Sequence, residues 1–503
     1  MTFKSALHAA IARPTDPDRL ADLADHALRE GEEEQAIPIL ARALEKSATA
    51  QLWQWKGLLE RSLDEHEQAL ASFNHASRLE PGNARIAHGY ARVALEAGVP
   101  AEGLYERARA LAPTDGSVLI GLAAARLAAG RGEVAEADLD RALDGSPLWI
   151  EGHNQLGQLR SMLGRPGDAP ASLHRALQSL PSESRLWRAL FDLHIKSDDF
   201  EELDKDVTQA RKTGADPSLL RMYEAIASAE LGDVAHADPL FEEIVEARGE
   251  SALAVWRIRH LLRAGRYELA MTLIDRELEG TGAAAIWPYA GLTWRLTGDA
   301  RWDWLEGDGK LVSVVDLSDK LPPLDRLSDS LRSIHKSRGE YLDQSVRGGT
   351  QTDGPLFSRI EPEIRRLRSA IVGAVETYSA KLPPIDADHP LLRFKRNRRV
   401  RFAGSWSVRL RDEGFHVSHV HPQGWISSAF YVALPPGLDT EKKEGWLQIG
   451  APKHDLGLEL EPIAHIKPEP GKLALFPSWM WHGTTPFPAG ERLSVAFDVA
   501  SPH

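Results

Sequence analysis

The chain has 503 residues and a formal net charge of −13, with 43% apolar residues, 26% charged residues and no cysteine. This length suits two to four domains of ordinary globular composition, and the acidic balance argues against nonspecific binding to nucleic acid or to an anionic membrane. Without cysteine the chain forms neither disulfides nor thiolate metal sites, so any metal must use histidine, carboxylate or water ligands. No apolar run is long enough to span a membrane and the first residues make a poor signal peptide, so we expect a cytosolic protein.

Up to about residue 300 the sequence repeats a pattern of small residues, one large residue and a proline. The spacing from the first small residue is the same in four copies. The copies are Ala69, Phe73, Ala76 and Pro81; Ala101, Tyr105, Ala108 and Pro113; Ala135, Leu139, Ala142 and Pro147; and Ala169, Leu173, Ala176 and Pro181. Small residues let two antiparallel helices approach, the large residue fills the groove between them, and proline ends the second helix. The pattern resembles the tetratricopeptide repeat and predicts about eight helix pairs stacked into a superhelix.

This resemblance covers roughly residues 49–181 closely and the flanking segments more loosely. It implies an all-α solenoid over residues 1–305 whose concave groove binds a peptide or protein partner. The alternative is a structural extension that orients a neighbouring domain or mediates self-association.

The pattern changes after residue 305, and we assign residues 306–503 to a second domain. Residues 341–357 are rich in glycine and have neither helical nor strand periodicity, so they predict a loop, whereas residues 358–382 predict an amphipathic helix. The basic run at residues 393–401 is interpreted as an exposed strand edge protected by charge. From residue 391 short β-rich segments alternate with turn residues, which predicts a jelly-roll domain. The complete fold prediction is α+β and multidomain, with the helical solenoid followed by this double-stranded β-helix.

A cluster of histidines precedes the second predicted strand of this domain. His419 and His421 are two residues apart, so on a strand both imidazoles face the same side, and His416 would face the other side. Neutral imidazole is a common ligand for iron, zinc and nickel. His482, at the start of a later strand, is the candidate third ligand, and Arg492 and Ser494 share one face of the last strand.

This constellation resembles the Fe(II)- and 2-oxoglutarate-dependent oxygenases over about residues 320–500. The finer similarity is to a bacterial subfamily of such enzymes that often follows tetratricopeptide repeats. The motifs that carry it are His419-Val420-His421-Pro422, Tyr431, Gly471-Lys472-Leu473, the run from Phe476 to His482, and Glu491-Arg492-Leu493-Ser494. The upstream segment 343–352 also resembles a subfamily feature.

The resemblance implies Fe(II) and 2-oxoglutarate as cofactors, with His419, His421 and His482 as catalytic metal ligands. It further implies that Arg492 and Ser494, helped by Tyr431, bind the far carboxylate of the co-substrate. The wider superfamily has a carboxylate where His421 stands, so two alternatives remain. Either His421 lies behind a two-histidine site that water completes, or His416 or a distant carboxylate supplies the third ligand.

The resulting hypothesis is a dioxygenase that hydroxylates an unknown, peptidyl or protein substrate recruited by the repeats. The loop at residues 344–352, with Arg347, Thr350 and Gln351, would cover the site and contact the substrate, and Trp425 would line the cavity. Two other functions stay open. One is a non-catalytic interaction scaffold with a degenerate oxygenase domain, and the other is a three-histidine cupin-type dioxygenase that does not use 2-oxoglutarate.

Overall fold

The computed structural model describes residues 2–248, 253–342 and 344–502. Its first part is helical, and consecutive helices pack as antiparallel pairs. The helices are α1 (Phe3–Ala12), α2 (Pro17–Glu30), α3 (Glu33–Lys46), α4 (Ala50–Ser62), α5 (His66–Leu79), α6 (Ala84–Glu96), α7 (Glu102–Leu111), α8 (Gly116–Ala128), α9 (Gly132–Gly145), α10 (Ile150–Met162), α11 (Ala171–Ser179), α12 (Ser184–Lys196), α13 (Phe200–Lys212), α14 (Pro217–Glu230), α15 (Val234–Arg248), α16 (Ala254–Arg263), α17 (Tyr267–Leu278), α18 (Trp287–Thr297) and α19 (Arg301–Leu305). The predicted solenoid of helix pairs is confirmed.

The repeated residues play the packing roles that their chemistry predicts. Phe73 is fully buried between Gly57 and Gly89, and a β-carbon at Gly89 would lie 2.4 Å from its ring. α5 ends at Leu79, two residues before Pro81, and the later prolines of the series likewise follow the ends of α7, α9 and α11. The glycines therefore set the distance between helices, and the prolines set where each second helix stops.

The second part of the chain is a double-stranded β-helix with two helices at its start, as predicted. The helices are α20 (Leu324–Ile334) and α21 (Pro362–Lys381). The strands are β1 (Ser313–Asp316), β2 (Val346–Gln351), β3 (Phe402–His416), β4 (Ile426–Ala433), β5 (Leu447–Ile449), β6 (Ala464–Ile466), β7 (Lys472–Pro477), β8 (His482–Thr484) and β9 (Glu491–Val499). One antiparallel sheet has the order β1-β7-β4-β9-β3-β2 and the other has the order β6-β5-β8.

Two local predictions were wrong. The glycine-rich segment at 344–352 is mostly strand β2, paired with β3, and not an irregular loop. Gly348 has a φ of 68°, and the register shifts beside it, so a bulge conceals the strand period. The segment 393–401 is not a strand edge, because it runs outside the sheets and its arginines face the helical array.

The second domain contacts the helical array at the turns that join the two helices of each pair. Arg398, Arg399 and Arg401 bind Glu32, Glu65 and Glu33 around the turns after α2 and α4. Further along the array, the backbone of the second domain continues the contact. Ile360 N–H donates to the Ala97 carbonyl at 3.2 Å, Gly339 N–H donates to the Met162 carbonyl at 3.0 Å, and Lys453 pairs with Asp198 at 2.8 Å. The basic run is therefore one end of an intramolecular interface.

The hydrophobic core crosses residue 305. One continuous apolar cluster joins α16 to α19 with α20, α21 and the strands of both sheets. The Trp481 indole, in the second domain, donates to the Pro288 carbonyl at 3.0 Å and lies edge-on to Tyr289. The last helix pairs are thus packed against the β-domain as part of its core. Among the described helices, none has the length and hydropathy needed to cross a bilayer.

Candidate metal centre

Two short segments running side by side bring three histidines together. His419 and His482 exchange both backbone hydrogen bonds, at 2.9 and 3.0 Å, and His421 N–H donates to the Ser478 carbonyl at 2.9 Å. One ring nitrogen from each of the three imidazoles lies within 4.8 Å of the other two. The ring centroids are 4.2 Å apart for His419 and His482, 4.9 Å for His419 and His421, and 5.2 Å for His421 and His482.

Each of the three imidazoles has Nδ1 within 2.9 Å of an oxygen atom. Nδ1 of His419 lies 2.8 Å from the Val417 carbonyl, and Nδ1 of His482 lies 2.9 Å from the Met480 carbonyl. Nδ1 of His421 lies 2.9 Å from a carboxylate oxygen of Asp498. Since carbonyl oxygens hold the proton on Nδ1 of His419 and His482, Nε2 is the nitrogen that these two rings could offer to a metal, and Ser345 Oγ lies 3.2 Å from Nε2 of His419.

The surroundings keep the imidazoles of His419 and His482 neutral. Burial, reinforced by the neighbouring imidazoles, lowers the pKa of His419 and His482 well below the usual value. Burial and the positive charge of Arg492 lower the pKa of His416 to about 3. Neutral imidazole is the form that coordinates a metal ion, so the donor set fits Fe(II) or another divalent transition metal.

Arg492 is a buried cation whose hydrogen-bonding capacity is not used by the protein. Its guanidinium is 2% exposed, and Nε and Nη1 have no partner among the described residues. The ring of Tyr431 lies under it at 5.3 Å, and the Tyr431 hydroxyl is likewise buried without a partner in the described chain. A buried guanidinium without hydrogen-bond partners costs free energy unless an anion binds it. A carboxylate matches the planar geometry of its N–H donors. These free donors fit the far carboxylate of 2-oxoglutarate.

The cavity between the histidines and Arg492 has two walls that the sequence analysis missed, Trp406 and Asp498. Its lining also includes Gln344 and Ser345, from the segment predicted to cover the site, and His416, the alternative ligand. Trp406 stacks on His421 at 5.6 Å, and Ser345 Oγ lies within 3.2 Å of a ring nitrogen of both His416 and His419. Ser494 lines the same cavity, as predicted for its strand face.

A signal for Asp498 was present in the sequence. Arg492, Ser494, Ala496 and Asp498 alternate along β9 and all face the cavity. Extending the two-residue period by four positions would therefore have found it. His416 could not be placed in this way, because the strand geometry ends at His416 and the chain turns before His419. It lies beside His419 with ring centroids 6.0 Å apart, not on the opposite face.

The residues expected to contact substrate are not among those that line the histidine cavity. Arg347 points towards the helical array, where it lies 3.7 Å from Asp198. The Thr350 hydroxyl lies 2.9 Å from Nδ1 of His335, and Gln351 lines a different cavity beside α6 and α8. Trp425 is buried, with its indole N–H donating to the Leu391 carbonyl at 2.9 Å. Of the segment 343–352, Gln344 and Ser345 do line the histidine cavity, and Asp343 lies outside the described residues.

Comparison with known families agrees with this geometry. A family model described as "Putative 2OG-Fe(II) oxygenase" matches residues 404–498, which contain all three histidines, Tyr431 and Arg492. That segment is therefore a domain of this oxygenase family. No curated protein matches the chain.

Solved structures similar to the chain are helical repeat proteins. They include MamA from Desulfovibrio magneticus RS-1, at 19% identity and a TM-score of 0.29, covering 33% of this chain and 96% of that one. YrrB, described as a tetratricopeptide repeat protein with an unusual peptide-binding site, has 17% identity and a TM-score of 0.29, covering 38% and 97%. A tetratricopeptide repeat protein from Parabacteroides merdae ATCC 43184 has 17% identity and a TM-score of 0.29, covering 47% and 94%.

Proposed function

We propose that this protein is an Fe(II)- and 2-oxoglutarate-dependent oxygenase that hydroxylates a peptide or protein substrate. The observation that carries the proposal is the pairing of two features in one cavity. One ring nitrogen of each of three imidazoles lies within 4.8 Å of the other two, and beside them a buried arginine has Nε and Nη1 without a partner among the described residues. A metal and a dianionic co-substrate together would satisfy both.

The residues then divide the work. His419, His421 and His482 would hold Fe(II) as a three-histidine set, with Asp498 orienting His421 through its Nδ1 proton. Arg492 would bind the far carboxylate in bidentate fashion, with Ser494 and the Tyr431 hydroxyl as further donors. When bound, iron and 2-oxoglutarate would supply the oxidising chemistry with dioxygen, one oxygen atom entering a substrate C–H bond to give an alcohol and the other entering the succinate that forms from 2-oxoglutarate with loss of carbon dioxide. The protein contributes the orientation of these groups.

Asp498 supplies a carboxylate close to the position where the wider superfamily has a carboxylate ligand. The wider superfamily has a carboxylate as a direct ligand, whereas here the corresponding position is His421 and a carboxylate stands behind it. A carboxylate bound to Nδ1 makes Nε2 a stronger donor and fixes the ring. This arrangement favours the three-histidine site over the alternative in which His421 does not bind the metal.

A cleft between the two parts of the chain supports a polymeric substrate. It has a volume of about 820 Å³ and lies between helices α10 to α13 on one side and residues 338–347 on the other. Gln344 lines both this cleft and the histidine cavity. A peptide lying in the cleft would place a side chain next to Gln344 and the metal. We therefore propose this cleft, and not the concave face alone, as the substrate site.

The test is anaerobic loading with Fe(II), followed by 2-oxoglutarate and oxygen, with measurement of bound iron, oxygen uptake and succinate. We expect one iron per chain and succinate formation that needs 2-oxoglutarate. His482→Ala should abolish both, whereas Asp316→Asn, a carboxylate change on the edge strand β1 of the other sheet, should leave both unchanged. Absence of iron binding would favour the scaffold function, and oxygen uptake independent of 2-oxoglutarate would favour the cupin-type dioxygenase.

A further inference from the structure

A second group of potential metal ligands lies in the helical array, away from the oxygenase cavity. His174 on α11, His194 on α12 and Asp206 on α13 come from three successive helices. One ligand atom of each lies within 4.8 Å of the other two. Nε2 of His174 is 3.1 Å and Nε2 of His194 is 2.9 Å from the same oxygen, Oδ2 of Asp206. The three donors therefore converge without any chain rearrangement.

We propose that these three side chains bind a divalent transition-metal ion, with zinc the ion that best suits the donors. Two imidazoles and one carboxylate are a common three-residue set for a zinc ion that keeps its fourth position open. Ligands on one tetrahedral zinc ion stand about 3.3 Å apart, given bonds of about 2.0 to 2.1 Å. The two imidazole–carboxylate separations, 3.1 and 2.9 Å, are a few tenths of an ångström shorter, so small side-chain rotations would admit the ion.

Burial and charge support this assignment. The His194 side chain is 5% exposed and that of Asp206 is 16% exposed, whereas His174 is 46% exposed. Burial raises the pKa of Asp206, but hydrogen bonds from the two imidazoles outweigh it and hold that pKa at about 2. The carboxylate is therefore ionised at neutral pH and available as a ligand. An ion here would be held on its inner side by the array and be reachable from the His174 side.

The proposed ion site lies at the wall of a cleft. His174 and His194 both line the cleft of about 820 Å³ that also reaches Gln344. The open coordination position would therefore be accessible to a molecule in that cleft. An ion would also tie α11, α12 and α13 together across the boundary between two helix pairs, which stabilises the folded state by mass action.

The competing explanation is a hydrogen-bonded triad in which at least one imidazole is protonated. The array contains a matched example with one member fewer, since Nε2 of His236 lies 3.2 Å from a carboxylate oxygen of Glu224. A simple imidazole–carboxylate pair of this kind binds no zinc. His236→Ala therefore serves as the control for a change of one surface histidine.

The test uses the full chain with His419→Ala and His482→Ala, so that the oxygenase site no longer competes for metal. We expect calorimetric titration with Zn²⁺ to show one equivalent bound, and Co²⁺ to give the visible absorption of a four-coordinate site. Asp206→Asn, which preserves size and can still accept a hydrogen bond, should weaken Zn²⁺ binding at least tenfold. His236→Ala should not change it.

Circular dichroism of each variant checks that the array remains folded. Should Asp206→Asn unfold the array, the exposed His174→Ala provides the same measurement with less structural cost. The proposal is overturned if no stoichiometric Zn²⁺ binds to the background chain. It is also overturned if His174→Ala and Asp206→Asn bind Zn²⁺ as strongly as the background chain does. Because the oxygenase ligands are absent from this background, the outcome is independent of the proposed oxygenase function.

Discussion

At the scale of single residues, the site contains two kinds of polar atom. Some have a polar partner within the described protein, and others have none. The Nδ1 atoms of the three histidines lie within 2.9 Å of oxygen atoms, and one ring nitrogen of each histidine lies within 4.8 Å of the other two. Arg492 has the reverse arrangement, since it is buried but its Nε and Nη1 have no partner within the described part of the chain. Free donor and acceptor atoms inside a protein are expensive, so their clustering in one cavity is evidence of missing ligands.

The first prediction concerns the Arg492 fork. Arg492→Lys keeps the positive charge but replaces the planar fork by a point charge, so we expect the 2-oxoglutarate concentration for half-maximal succinate formation to rise more than tenfold. Iron binding, measured without co-substrate, should stay within about twofold. Equal loss of iron in this variant would mean that Arg492 supports the fold of the site and not the co-substrate.

The second prediction concerns Asp498. Asp498→Asn removes the carboxylate on Nδ1 of His421, and loss of such a partner typically weakens metal binding by about 10- to 100-fold. Fe(II) or Co²⁺ titration measures this effect. His421→Ala should weaken binding further, because it removes a ligand and not its support. If His421→Ala left metal affinity and turnover unchanged, the three-histidine set would be excluded.

At the scale of elements, close helix contacts decide where small residues are required. Gly57 and Gly89 face opposite sides of the Phe73 ring, and Phe73 is fully buried. A methyl group at either glycine therefore meets a ring that has no space to move. The same contacts explain why the alternation of small and large residues in the sequence predicts helix pairs.

The third prediction is that Gly89→Ala destabilises the array despite the better helix propensity of alanine. Its β-carbon would lie 2.4 Å from Phe73. Overpacking costs about 1 to 3 kcal/mol, and the gain in propensity is at most about 1 kcal/mol, so the net free energy of unfolding should fall by up to about 2 kcal/mol. Thermal unfolding followed by circular dichroism measures it. The control is Gly103→Ala in α7, where no atom lies within 4 Å of the added carbon, and it should be neutral or stabilising.

At the scale of the whole molecule, charge links the two parts of the chain. The arginines at 398, 399 and 401 meet glutamates of the first helix pairs, while one continuous core joins the last helices to the sheets. The β-domain is thus attached at both ends of the array, polar at one end and apolar at the other. The cleft beside Gln344 lies between these attachments.

The fourth prediction tests the polar attachment. Replacing Arg398, Arg399 and Arg401 by alanine leaves Glu33, which is 2% exposed, without its cation, so we expect the first helix pairs to separate from the β-domain. Small-angle scattering should show a larger radius of gyration, and limited proteolysis should cut faster within 393–401. High salt should mimic part of this effect by screening the pairs.

Arg393→Ala with Lys395→Ala removes charge from the same segment, and both side chains are exposed. We expect this double variant to behave like the unmodified protein. If it opened the molecule as much as the triple variant does, the effect would come from net charge and not from the specific pairs.

The sequence was sufficient for features whose evidence lies within one repeat or one strand. Helix pairs appear in a period of about 34 residues, and Arg492 and Ser494 share a strand face, so local spacing predicted the fold class. The resemblance to the oxygenase family then joined His419, His421, His482, Arg492 and Ser494 into one hypothesis. β2 was missed because the bulge at Gly348 breaks its period.

Tertiary structure alone decided the rest, since the contacts concerned join residues far apart in the chain. Arg401 and Glu33 are 368 positions apart, and no periodicity relates them, so the basic run looked like a protected edge until its partners were in place. Gln344 and Ser345 lie near the histidines because β2 pairs with β3. Trp425 lies outside the cavity, where its indole N–H donates to the Leu391 carbonyl. Local patterns fix which face of an element is apolar or polar, whereas the neighbour that each face meets depends on how the elements pack.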